Sequence, residues 1–228
     1  MKRWISLLIL LWPLTLQAND TAFKRTKKHE ANMGPGCNVS LKIPVTGKIT
    51  IRFSKHDGKG GGKLTVENPL NLKTKEYIAP FYFGFTCYSV DDGEINLDPV
   101  RFDTARNEWV RDIDKRIAAT GTQWSEESMM NLRRDFARAI KLYPLNNINA
   151  RGYAYTEDDL NGDEEGRQRT LYYCLIRNAK TLCGRGKMGY LEEGKKGDLT
   201  PYVLEMLRSI EFLEDADPIP SAPIYSDE

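Results

Sequence analysis

The stretch that decides the fold is Leu171-Tyr172-Tyr173-Cys174-Leu175-Ile176-Arg177-Asn178-Ala179-Lys180-Thr181-Leu182-Cys183-Gly184. Two β-prone runs flank Asn178-Ala179, and a two-residue turn there pairs Arg177 with Lys180, Ile176 with Thr181, Leu175 with Leu182 and Cys174 with Cys183. Counted outward from the turn, the cysteine pair falls on a non-hydrogen-bonded site, where cross-strand side chains approach most closely. A bridge between Cys174 and Cys183 follows, which leaves Cys37 for Cys87. On the chain-entropy model the longer loop is worth roughly 4 kcal/mol and the shorter roughly 3 kcal/mol. A four-cysteine zinc site is the rival, but no C-x₂-C spacing occurs.

Working outward, ARGYAYTEDDL (150–160) and RQRTLYYCLIR (167–177) read as strands joined by NGDEEG, with Asn161-Gly162 as the hairpin signal, and TLCGRGKMGYL (181–191) completes a meander. Toward the N-terminus, alternation of Val39, Leu41 and Ile43, then Ile49, Ile51 and Phe53, then Leu64 and Val66 predicts half-buried strands. HDGKGGGK (56–63) lies between two of them. A phosphate cradle would require Gly-Lys-Ser/Thr leading into a helix, and Lys63 instead leads into LTVEN, so a mobile hairpin loop is expected. In YIAPFYFGFTCYSV (77–90), Phe81, Phe83, Phe85 and Cys87 share one face and Tyr82 and Tyr88 the other, which predicts a central strand covered on both sides.

The period then becomes helical. Asp103 or Thr104 is expected to cap a helix carrying Trp109, Ile113 and Ile117 and ending at Gly121. Ser125 is expected to cap a second helix, with Leu132, Phe136 and Ile140 as its apolar stripe and Pro144 as its end. Thr200 as N-cap and Pro201 at N1 open a short helix that buries Val203, Leu204 and Leu207, and Ile210 and Phe212 return to a strand pattern. The expected fold class is therefore α+β, an antiparallel sheet with helices packed on it and two disulfides, with residues 37–213 as a single domain.

The flanks of that domain carry addresses rather than core. Residues 1–18, MKRWISLLILLWPLTLQA, have a positive n-region (Lys2, Arg3), an apolar h-region (Ile5 to Trp12) and Leu16-Gln17-Ala18 as a cleavage site, which predicts a signal peptide. Pro13 interrupts a run already too short to span a bilayer, so no transmembrane anchor is expected after cleavage. Residues 19–36 read as a flexible, basic N-terminus, with Lys24, Arg25, Lys27 and Lys28 as solvated charge. Residues 214–228 read as a disordered, acidic, Pro-rich tail. The expected location is periplasmic or secreted, the compartment in which an even number of cysteines is bridged.

Composition restricts the chemistry. The 228 residues carry 33 basic and 32 acidic side chains, so no global positive field argues for nucleic acid. Two histidines leave little for histidine catalysis or metal ligation. G-x-S-x-G, H-E-x-x-H and dinucleotide fingerprints are absent, and the disulfides consume every thiol. Glu157, Asp159, Asn161 and Gly162 mimic the start of a calcium loop, but Glu164 and Gln168 break the pattern, so no metal or cofactor is expected.

DLTPYVLEMLRSIEF (198–212), a capped helix delivering the chain into a last strand, resembles the ending of PsbP-like α/β domains. That resemblance implies a small antiparallel sheet with helices on it, and little chemistry. By size, export and missing catalytic motifs, the chain is also similar in general type to secreted bacterial immunity proteins. The expected function is a periplasmic, non-catalytic binding or inhibitor protein with another protein as partner. The alternatives are a cell-envelope module holding a small ligand between the sheet and the helical pair, or a carboxylate-based hydrolase. The expected binding surface is the acidic hairpin tip, Asp158, Asp159, Asp163, Glu164 and Glu165, with Tyr153 and Tyr155 supplying buried contacts.

Overall fold

The structure, a computed structural model, describes residues 26–34, 36–44, 48–56, 59–67, 81–90 and 99–214. The expected signal peptide and the tail beyond Glu214 lie outside them. In chain order the strands are β1 (Thr26–Asn32), β2 (Asn38–Pro44), β3 (Lys48–His56), β4 (Lys59–Glu67), β5 (Phe81–Ser89), β6 (Val100–Asp103), β7 (Glu108–Arg111), β8 (Ile140–Asn146), β9 (Arg151–Asp158), β10 (Gln168–Arg177), β11 (Lys180–Tyr190) and β12 (Glu211–Phe212). The helices are α1 (Ile113–Ala118), α2 (Glu126–Ala139), α3 (Gly194–Gly197) and α4 (Thr200–Arg208).

The Asn178-Ala179 hairpin forms in the expected register, with Asn178 at φ +53° and Cys174 opposite Cys183. Those two Cα atoms are 4.1 Å apart and the side chains are bridged. Around this hairpin an antiparallel seven-stranded sheet runs in the order β3-β4-β5-β11-β10-β9-β8, and a smaller sheet runs β1-β2-β12. Pairing β5 with β11 puts β5 inside the sheet, as its two-sided aromatic pattern requires.

Strand alternation sorts the core into two layers. On one face Phe83, Phe85, Leu171, Tyr173, Leu175 and Leu182 pack with Val39, Leu41 and Ile43 of the small sheet and Leu207 and Phe212 at the C-terminus. The Cys37–Cys87 bridge crosses this layer and ties the two sheets together. On the other face Tyr153, Tyr155, Cys174 and Ile140 pack with Ile117 and Phe136 of the helical pair, and with Val100 and Trp109. Two close approaches need glycine: a Cβ on Gly152 would strike the Cys174 carbonyl, and one on Gly184 the Gly84 carbonyl.

Several expectations are corrected. Residues 100–111 form the β6–β7 hairpin, and α1 begins only after Asp112, whose side chain accepts from the Lys115 N–H. Asp103 does bond local amides, those of Ala105 and Arg106, but it nucleates a turn with Asn107 at φ +54° rather than a helix. The second helix is capped by Ser125 as expected yet ends at Ala139, and Ile140 and Pro144 belong to β8. Pro144 is tolerated there because β8 is an edge strand. The Arg111 guanidinium donates to the Ala137 and Ile140 carbonyls, both at 2.8 Å, satisfying the end of α2.

The glycine-rich stretch is also strand rather than loop: His56 pairs with Lys59, and Gly60, Gly61 and Gly62 lie within β4. Within 19–36, residues 26–32 are not a free tail but pair with β2, and Ala31 and Met33 are buried. Burial, then Lys27, lowers the His29 pKa below its usual value. Thr200 is the first residue of α4 rather than its cap, and its N–H is taken by the Asp198 carboxylate at 2.9 Å.

Tyr173 gives the core a titratable weak point. It is 1% exposed and stacks on Phe83 with ring centroids 5.0 Å apart, and its hydroxyl has no partner among the described residues. Burial, reinforced by Tyr88, pushes its pKa well above the usual tyrosine value. The unfolded chain releases this proton near pH 10 while the folded chain keeps it, so stability falls as pH rises through about 10. Tyr173→Phe is expected to gain about 1 kcal/mol at neutral pH by removing an unpartnered hydroxyl. It should also flatten the alkaline fall. Urea unfolding at neutral pH and above pH 10 reads both effects, and a variant less stable at neutral pH would contradict this account.

Candidate functional site

The acidic hairpin tip is only partly assembled as expected. Its turn is wider than the Asn161-Gly162 signal implies, spanning 159–167 with a 3₁₀ turn at Glu164–Gly166 and Gly162 at φ +93°. Asp159, Asp163, Glu164 and Glu165 are exposed and clustered, beside the exposed Leu160. Asp159 is partly engaged, its Oδ2 accepting from the Gln168 N–H at 2.9 Å.

Asp158, Tyr153 and Tyr155 do not join that surface. Asp158 accepts two hydrogen bonds from Arg169, at 2.6 and 2.8 Å, and is an internal ion-pair partner. Tyr153 is fully buried against Trp109, with ring centroids 4.6 Å apart. Tyr155 is 3% exposed and stacks on Tyr172 at 4.9 Å. The α1–α2 layer covers both rings, so the contacts they make are core contacts. Among the described residues no group of three or more His, Cys, Asp or Glu is arranged to hold a metal.

A cleft of about 260 Å³ lies beside Arg169 and is lined by Lys141, Tyr190, Lys195 and Asp198. The Arg169 guanidinium is shared between Asp158 and Asp198, the latter at 2.6 Å, and these bonds, Asp158 first, hold its pKa far above the usual arginine value. Both carboxylates are acceptors to one fixed cation, an arrangement that clamps β9, β10 and the start of α4. A second clamp pairs Arg116 with Glu157 at 2.7 Å and sets the guanidinium 5.1 Å from the Phe136 ring centroid. The Glu157 hydrogen bond raises the Arg116 pKa.

A third place was not legible in the sequence. A groove of about 630 Å³ opens between Phe102, Trp109, Ile148, Arg151 and Ile176. Ile148 is 79% exposed and Phe102 42% exposed. The turn that carries Ile148 is held from both sides. Asn147 Nδ2 donates to the Leu207 and Ile210 carbonyls at 2.7 and 2.8 Å, and Asn149 exchanges two bonds with the Phe212 backbone at 2.6 and 3.0 Å. The local signal was the triplet Asn147-Ile148-Asn149, an apolar residue between two amides. Its meaning depends on a C-terminal segment some sixty residues away in sequence.

No protein-family model matches the chain, and no curated protein matches it. No described helix is long and apolar enough to cross a membrane.

Proposed function

We propose that the chain is an exported, non-catalytic binding protein of the inhibitor type, with an immunity protein against a secreted antibacterial effector as the class it fits best. The periplasm is the proposed location, supported by the signal-like segment 1–18 and by both disulfides. The partner is another protein, engaged at the Phe102–Ile148 groove.

Ile148 carries this reading. A branched apolar side chain stands in solvent on a turn that side-chain hydrogen bonds hold rigid, next to an exposed aromatic ring and Arg151. Pre-organised apolar anchors lose little conformational entropy on binding, which is the property of interface hot spots. The acids at the β9–β10 tip would add steering toward a basic partner rather than affinity.

The test is capture from cell-envelope extract on the immobilised chain, followed by affinity measurement with the captured protein. Ile148→Asp is expected to weaken that complex about thirtyfold or more, as loss of a hot spot does, with the melting transition unchanged. Equal affinity for the variant would move the interface elsewhere. Hydrolysis of a glycan by the purified chain would replace the binding reading with the carboxylate hydrolase.

A further inference from the structure

The Phe102–Ile148 groove combines two aromatic rings with unmatched positive charge. Phe102 and Trp109 meet edge to face on the β6–β7 hairpin, with ring centroids 5.2 Å apart, and Ile148 joins them from its fixed turn. Arg151 and Arg177 line the same groove, and no Asp or Glu is among its described lining residues. Arg151 is exposed and makes no hydrogen bond or ion pair with another described residue. The acids of the β6–β7 hairpin are already engaged, Asp103 and Glu108 facing Arg106 at 3.8 and 3.7 Å. Such a surface is complementary to an occupant that is both apolar and acidic.

The described chain ends on the wall of that groove. Arg177 Nη1 donates to the Phe212 and Leu213 carbonyls at 2.9 and 3.1 Å, and Asn149, another lining residue, exchanges two bonds with the Phe212 backbone. Beyond Glu214 the sequence runs DADPIPSAPIYSDE, with Asp215, Asp217, Asp227 and Glu228 as acids, Pro218, Pro220 and Pro223 between them, and no basic residue.

We infer that residues 215–228 dock in cis as a strap over the Phe102–Ile148 groove, with residues 218–223 in polyproline II conformation against the aromatic rings and the flanking acids toward the arginines. Aromatic-lined grooves take Pro-rich segments because that helix is already formed in the free chain and needs no core of its own. Three residues make one turn, so Pro220 and Pro223 fall on one edge. At about 3.1 Å per residue, the run 218–223 lies about 12–28 Å along the chain from Glu214. A strap tethered at the groove wall has an effective concentration of about 1 mM. A contact with a dissociation constant of about 0.1 mM, weak in trans, then closes the groove about ten to one in cis. A partner has to displace the strap, a competition that rests on the binding reading above; the docking of the strap does not.

Hydroxyl-radical footprinting of the complete exported chain, with oxidation of Phe102 and Ile148 read by mass spectrometry, tests the docking without any partner. Pro220→Gly with Pro223→Gly is expected to speed oxidation of both side chains about fivefold or more. Phe212, buried in the core, is the unchanged control. Arg151→Glu, which leaves the strap sequence intact, is expected to act in the same direction. A synthetic peptide of residues 215–228 should restore protection to the proline variant with a midpoint near about 0.1 mM. Equal oxidation in the intact chain and both variants would overturn the inference, as would a peptide that restores nothing. Protection that disappears on dilution would also overturn it, by assigning the segment to a second copy. Once a partner is captured, the proline variant is expected to bind it about tenfold more tightly. Protection without capture of any partner would keep the strap and remove the binding reading; a partner bound equally by both chains, with equal oxidation, would do the reverse.

Discussion

A Cys37→Ala/Cys87→Ala variant is expected to lose about 4 kcal/mol of stability, the largest effect of any change considered, because the bridge closes a long loop. One end, Cys37, immediately precedes β2 of the small sheet and the other, Cys87, lies in β5 of the large one, so the covalent bond substitutes for contacts that would otherwise have to hold the small sheet on the large one. Against a typical total of about 5–15 kcal/mol, that loss leaves little margin at 37 °C. The Cys174→Ala/Cys183→Ala variant is expected to lose about 3 kcal/mol or less, since its loop is short and the Asn178 turn already sets the register. Urea unfolding of the two variants measures the order. A Cys37/Cys87 variant costing under about 1 kcal/mol would show that burial alone holds the sheets together.

The second large effect is expected at Arg169. Replacement by Met keeps the aliphatic stem but leaves Asp158 and Asp198 facing each other without their shared cation. Breaking a fully buried ion pair costs about 3–5 kcal/mol. The three side chains here are 18%, 21% and 20% exposed, which allows some solvation and places the cost near about 3 kcal/mol. Asp158→Asn and Asp198→Asn in the Arg169→Met background should recover most of it. A triple variant as unstable as Arg169→Met alone would mean that the arginine acts by packing, not by charge. The comparison is a set of denaturation midpoints at neutral pH.

The parts of the fold legible in sequence are those set by neighbours in the chain. The Cys174–Cys183 register follows from a turn and strict two-residue alternation, and the second bridge follows by elimination. The Ser125 cap and the buried residues of α4 are similarly local. Residues 103–117 were not legible because Asp103 offers the same side-chain oxygen to a turn as to a helix start, and the spacing of Trp109, Ile113 and Ile117 does not choose between them. Pro144 does not end the helix, which stops at Ala139, but lies within the edge strand β8, and edge position is a property of the whole sheet.

The candidate site was less legible than the fold. Tyr153 and Tyr155 lie on the same face of β9, and their pattern is the same whether that face meets solvent or a helical layer; α1 and α2 decide it. Asp158 differs from Asp159 only in having Arg169 within reach. Ile148 is functional in appearance only once Leu207, Ile210 and Phe212 are seen to fix its turn. Exposure of one side chain and burial of another are long-range facts, whereas strand register is a short-range one.

Export with both bridges formed is the claim on which the rest depends. Peptide mapping by mass spectrometry on protein taken from the periplasmic fraction, alkylated before lysis, tests it most directly. The expected product begins at Asn19, carries no alkylated cysteine, and yields the linked pairs Cys37–Cys87 and Cys174–Cys183. A full-length chain recovered from the cytoplasm with four alkylated cysteines, or a linkage of Cys37 to Cys174, would contradict the account.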